Sequence, residues 1–163
     1  FKEFIKQNKL DHNDFLLDSS IMLSAYGLRE AKDIDYFCFD TNKVIEKYKD
    51  IDNHDSELKY YDINKNELIY NQNFHFYFND LKFISFNQLY KMKRNRAEAK
   101  DINDCKMMEA LIEENKLKEI ISRNKQNILY FKVKLKNKFI IALKRFGLYK
   151  IIQQAYNLIK NHK

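Results

Sequence analysis

The sequence predicts an α+β fold: a small mixed sheet of about five strands with flanking helices, followed by a helical C-terminal region. Three observations carry this expectation. Residues 15–40 read in order as strand, polar turn, helix, loop and strand. Short β-prone runs continue to residue 86. From Asn87 onward the apolar residues recur at helical spacing instead.

Lys2–Lys9 reads as a short helix with Phe4 and Ile5 as its apolar contacts. Phe15–Leu17 is a short buried strand, after which Ser19 or Ser20 caps a helix through Tyr26 that carries Ile21, Met22, Leu23 and Ala25. Gly27 stands where a helix end calls for positive φ. The next strand holds Ile34, Tyr36, Phe37 and Phe39, residues that favour extended backbone. Thr41–Lys49 reads as a charged helix capped by Thr41, with Val44, Ile45 and Tyr48 facing inward. Asp50–Ser56 reads as a polar loop containing His54 and Asp55. Leu58–Ile63, Phe74–Phe78 and Leu81–Phe86 are further β-prone runs, the last two joined by Asn79-Asp80 as a hairpin turn. Leu89, Met92, Arg96 and Ala97 belong to one helix, and Asp101 opens a second with Ile102, Cys105, Met108, Leu111 and Ile112 on one side. Leu117, Ile120 and Ile121 extend the helical pattern. Gly147 divides two amphipathic helices in the tail, Phe139, Ile140, Leu143 and Phe146 lining the first and Ile151, Ile152, Ala155, Tyr156 and Ile159 the second.

This order gives three regions: an α+β core over 1–90, a helical subdomain over 91–127 and a basic amphipathic tail over 128–163. Charge follows the same division. All 23 Asp and Glu precede residue 120, whereas eleven of the 30 Lys and Arg follow it. No apolar run approaches the roughly 20 residues of a membrane-spanning helix. The first residues, which open on Phe as a processed or excised fragment would, lack the apolar centre of a signal peptide. A cytoplasmic protein is expected, peripheral at the inner membrane face if its tail meets lipid. Cys38 and Cys105 lie far apart without partners at metal-site spacing and read as reduced structural thiols.

The candidate chemistry centres on Asp33-Ile34-Asp35. Strand alternation places both acids on one face, and two carboxylates so close repel each other unless a cation or water intervenes. Upstream, Asp18-Ser19-Ser20 joins a strand to a helix start, a natural place to seat phosphate.

These residues resemble the nucleotidyltransferase superfamily of the polymerase-β type, whose signature is a small-residue turn entering a helix and, roughly a dozen residues on, Asp-apolar-Asp. Ser19-Ser20 and Asp33-Ile34-Asp35 match that signature. KMKRNRAEAKDINDCKMM resembles the helix pair that follows the core sheet in bacterial members, including antibiotic-modifying and toxin-type proteins. The match covers residues 15–112. It implies that Asp33 and Asp35 hold Mg²⁺ (or Mn²⁺) and carry catalysis, that Ser19 and Ser20 bind phosphate of an NTP or other nucleotide-activated donor, and that Arg29 with Lys91 or Arg96 supplies positive charge. Such members have a third carboxylate, for which Asp62 is the first choice, ahead of Glu57 and Asp80. Two departures stand out. The turn lacks the family's glycine, and its Asp18 would repel a triphosphate unless metal or Arg29 offsets it; no single position stands out for the third carboxylate. For Lys91 and Arg96 a solvated helix face competes with the site role. Asp101 and Asp104 read as a cap and as partners of Lys100 and Arg96. His54 and His75 read as ordinary loop and strand residues.

Three functions follow as expectations. The first is a metal-dependent transferase that moves a nucleotidyl or related phospho-group to a hydroxyl or phosphate acceptor, with surface-polysaccharide modification as its preferred setting. The acceptor is open among glycan, small molecule, protein and tRNA. The second is a catalytically degenerate binding module whose tail meets an anionic membrane or nucleic acid. The third is a toxin-type nucleotidyltransferase. For the tail, packing of its apolar faces on the body together with a peripheral contact to an anionic membrane surface through 128–163 is favoured over nucleic acid.

Overall fold

The computed structural model describes residues 1–45 and 48–154. Two compact units are present, Phe1–Arg123 and Asn124–Lys163. The first is of the expected α+β class. Its five-stranded mixed sheet consists of β1 (Phe15–Asp18), β2 (Ile34–Cys38), β3 (Ile51–Asn53), β4 (His75–Phe78) and β5 (Leu81–Ile84), in the order β3-β2-β1-β5-β4. β1 is the central strand, buried at every position, antiparallel to β2 and parallel to β5. This accounts for its nearly continuous apolar run, because both of its faces are covered.

One face of β1 and β2 presents Phe15, Leu17 and Tyr36. Helix α1 (Lys2–Gln7) covers it with Phe4, whose ring centre lies 6.0 Å from Phe15 and 5.3 Å from Tyr36. Such tilted aromatic contacts add to the area they bury. The other face presents Leu16, Asp18, Asp35 and Phe37, with Tyr61 packed edge-on against Phe37 at 5.6 Å. Helix α2 (Ser20–Ala25) is closed by Gly27 at φ +68°. Gly27 N–H donates to Ser24 C=O and Leu28 N–H to Leu23 C=O, the paired bonds of a Schellman end.

The β4–β5 hairpin turns at Asn79-Asp80 with φ of +49° and +56°. Positive φ at both central residues is the turn that matches strand twist. Helices α3 (Lys65–Tyr70), α4 (Phe86–Arg96) and α5 (Ala99–Ile112) complete the unit. Met92, Met107 and Met108 share one apolar core with the sheet. Cys38 and Cys105 are free and buried, and burial pushes both thiols up to about 11, which keeps them protonated.

Several elements differ from the sequence expectation. Thr41–Lys43 is a single 3₁₀ turn capped by Asp40, and Val44 is already extended, so no helix runs on from Thr41; Glu46 and Lys47 lie outside the described residues. Ile51–Asn53, expected as loop, is a strand, paired parallel to β2. Leu58–Ile63 is not a strand: Asp55–Tyr60 forms 3₁₀ turns, and the chain then bends at Tyr61. Helix α5 begins at Ala99, capped by Glu98 with Asp101 three residues on reaching back to the Glu98 N–H. Asp101 is therefore the reciprocal partner in a capping box instead of the cap itself.

Residues 116–145 form one continuous helix, α6 (Lys116–Arg145), which extends into the second unit. It stops at Gly147, φ +70°, and 149–154 is helical again, so helices flank Gly147 as expected. Ala155, Tyr156 and Ile159 lie outside the described residues. Among the described residues no helix is long and apolar enough to cross a membrane.

Candidate active site

The acids are gathered by strand register. Asp18 closes β1 and Asp35 sits directly across from it on β2. Asp33 lies on the bend just before β2, close enough for its charge to act on Asp35. On the far side Asp35 is the register partner of Asp52 on β3. Asp35 thus stands between two neighbouring strands that each place an aspartate at its level. Its carboxyl is pushed above the usual carboxylate range. Burial is the main cause, the charges of Asp33 and Asp18 add to it, and His54 and the Ser19 hydroxyl oppose it.

Asp18 is fully buried, and both of its oxygens are occupied. Tyr61 Oη donates to Oδ1 at 2.7 Å, and His54 Nδ1 lies 2.8 Å from Oδ2. The imidazole of His54 is held above its ordinary pKa. Burial acts against protonation, but the Asp18 hydrogen bond and the charges of Asp18, Asp35 and Glu57 outweigh it. The Tyr61 hydroxyl is held well above its usual value by burial and by Asp18, and stays a donor. Asp18, expected to repel a phosphate unless offset, is hydrogen-bonded by a histidine and a phenol. His54, expected to be an ordinary loop residue, is its partner.

A raised histidine pKa has a definite sign. The fold favours the protonated ring, so the stabilisation is complete below the ordinary value of 6.5 and is lost as pH rises through the folded value. In urea unfolding, the stability of the native chain over a His54→Gln variant should therefore be larger near pH 6 than near pH 8. A gap constant with pH would mean that His54 stays neutral.

The serine turn is unusual. Ser19 has φ +61° and ψ −126°, a conformation normally left to glycine, and its side chain favours the charged form of the nearby Asp35. Ser20 Oγ donates to Asp33 Oδ1 at 3.1 Å, with the Asp33 carbonyl at 3.4 Å. Ser20 thus answers Asp33 directly. Helix α2, six residues long, adds little dipole of its own. Ser19→Gly and Ser19→Ala both lose the hydroxyl, but only glycine is at ease at this φ. The glycine variant should be the more stable of the two by roughly 1–2 kcal/mol in thermal or urea unfolding.

The other expected site residues lie elsewhere. Asp62 is exposed on the bend after Tyr61, and the acids on the strands neighbouring Asp35 are Asp18 on one side and Asp52 on the other. Glu57 pairs with Arg96 at 2.9 Å, and Asp80 pairs with Lys2 at the hairpin tip. Arg29 directs Nε and Nη2 at Asp104, at 2.7 and 3.0 Å. Arg96 grips Asp101 through Nε and Nη2, both at 2.8 Å. Lys93 Nζ, 1% exposed, bridges Asp101 at 3.2 Å and Asp104 at 2.8 Å. The fork of Arg29 and that of Arg96 therefore brace α4 and α5 against the loop after α2 and the 3₁₀ turn at 55–60. Asp101 and Asp104 are structural, as expected, although their partners are Arg96, Lys93 and Arg29, while Lys100 pairs with Glu98. Lys91 is exposed on α4. His75 sits on edge strand β4, held towards its neutral form by burial and by Lys82.

Among the described residues no group of three or more His, Cys, Asp or Glu is arranged to hold a metal. With both Asp18 oxygens engaged, a divalent ion would rest on Asp33 and Asp35 alone. Two carboxylates suffice for Mg²⁺ where substrate phosphate and water fill the other positions. A shallow hollow of about 580 Å³ adjoins Asp33, with Lys32 and Lys49 beside an apolar floor of Ile21, Ile34 and Ile51. Compared with protein-family models, with curated proteins and with solved structures, the chain finds no match in any of the three.

Proposed function

We propose that this chain is a divalent-metal-dependent transferase of the nucleotidyltransferase class, moving a nucleotidyl or related phospho-group from an activated nucleotide donor to a hydroxyl or phosphate acceptor. The observation that carries the reading is the Ser19 turn. A serine is held at a φ that costs about 1–3 kcal/mol, beside an acid whose charge the fold already disfavours. Strain and charge repulsion concentrated on one spot are features of a site built to receive a cation and its ligand. The Asp-apolar-Asp resemblance supports the same reading. A bound ion would supply charge neutralisation for the phospho-group in transfer. In this chain Asp33 and Asp35 would hold it, and Ser19 and Ser20 would fix their rotamers.

The test is calorimetric titration of the chain with the four common NTPs in Mg²⁺, in Mn²⁺ and in EDTA, followed by product analysis for the nucleotides that bind. Metal-dependent binding of at least one NTP is expected. A metal-free binding module is the second reading, favoured by the hydrogen-bond partners that Asp18 and Asp33 already possess. Equal affinity in EDTA and in Mg²⁺ would select it.

A further inference from the structure

In the second unit, Ile128, Phe131, Leu135, Phe139 and Phe146 are each between 54 and 73% exposed. At 100° per residue they fall within about 80° of one another around the helix axis and form one stripe. Phe146, just past α6, still donates its N–H to the Ala142 carbonyl and so keeps the helical register. Lys125, Lys132 and Lys136 border the stripe on one side, and Lys134, Lys138 and Arg145 on the other. No acid follows residue 119.

We propose that this segment of α6 lies along an anionic phospholipid surface, its phenylalanine-rich stripe sunk to the acyl boundary and its two basic borders at the headgroups. Charge complementarity selects this occupant. A second copy docked stripe to stripe would set lysines against lysines. Nucleic acid would answer the lysines and leave the apolar stripe in water. An anionic bilayer satisfies both, because long lysine stems reach upward from an apolar face to charged headgroups. The inference is independent of Asp33 and Asp35, and its failure leaves the transferase reading untouched.

The experiment is co-sedimentation of the full chain with vesicles of phosphatidylcholine alone and of phosphatidylcholine mixed with phosphatidylserine. Sedimentation with the anionic vesicles only is expected. The Lys134→Gln, Lys138→Gln double variant should bind them about 25-fold more weakly, about five-fold per charge removed. The Phe131→Gln, Phe139→Gln pair should lose most of the binding with its circular dichroism unchanged, since both sites are exposed. A Phe139→Trp reporter should shift its emission to the blue on anionic vesicles. Failure to sediment, or sedimentation that the Phe131 and Phe139 changes leave intact, would overturn the proposal. A blue shift that depends on protein concentration without vesicles would overturn it in favour of self-association. Salt-sensitive retention on RNA without vesicle binding would overturn it in favour of nucleic acid.

Discussion

Replacing Asp104 by alanine should cost the first unit roughly 3–5 kcal/mol, the largest stability loss expected from a single polar substitution in this chain. Asp104 is fully buried and answers two cations, the Arg29 fork and Lys93. Without it, Lys93 keeps Asp101 at 3.2 Å, but Asp101 is already shared with Arg96, and Arg29 loses both of its carboxylate bonds. Two partly uncompensated charges then remain in a site closed to water. The effect should exceed that of an ordinary ion pair because the bidentate geometry of Arg29 cannot be rebuilt by solvent. Urea unfolding of the full chain measures it. Lys2→Ala is the control, since the Lys2–Asp80 pair is mostly solvated and its loss should stay below about 0.5 kcal/mol. Equal losses in the two variants would mean that the network around Lys93 is open to water.

Asp35→Asn should act in opposite directions on stability and on function. The carboxyl at Asp35 is held above its usual range by burial and by Asp33 and Asp18, so its ionised form costs stability at neutral pH. Asparagine keeps the shape and removes that cost, and the melting temperature in metal-free buffer should rise. The same change halves the charge available to a divalent ion. Metal-dependent nucleotide turnover should fall by on the order of 10³-fold, the scale of several kcal/mol of lost electrostatic stabilisation. Asp33→Asn should behave alike in turnover. Turnover kept within ten-fold by both variants would remove Asp33 and Asp35 from the proposed mechanism, and a lowered melting temperature for Asp35→Asn would show that the acid is a structural asset.

The elements legible in the sequence were those set by local pattern. Phe15–Leu17 announces a buried strand by its unbroken apolar run, Gly27 a helix end by its freedom at positive φ, and Asn79-Asp80 a hairpin by its turn residues. The helices after Ser85 follow from apolar spacing alone. Misreadings arose where one neighbour overrode local preference. Ile51–Asn53 has a single apolar residue, and its extended form comes from β2 alongside. Leu58–Ile63 is β-prone, but Tyr61 is drawn to Asp18 and Asn95 Nδ2 donates to the Tyr60 carbonyl, which bend the chain instead.

By itself the sequence determined that Asp33 and Asp35 stand one residue apart behind a serine turn, because spacing along the chain is a local property. Only the tertiary structure decided the company they keep. Asp18 becomes the buried acid opposite Asp35 through antiparallel register, and Tyr61 and His54 satisfy it from 43 and 36 residues away. Arg29 is claimed by Asp104 across 75 residues. A charged side chain pairs with whichever opposite charge the fold brings within hydrogen-bond reach, and in a buried site the cost of leaving it alone makes that choice binding. No periodicity in the chain encodes such a partner.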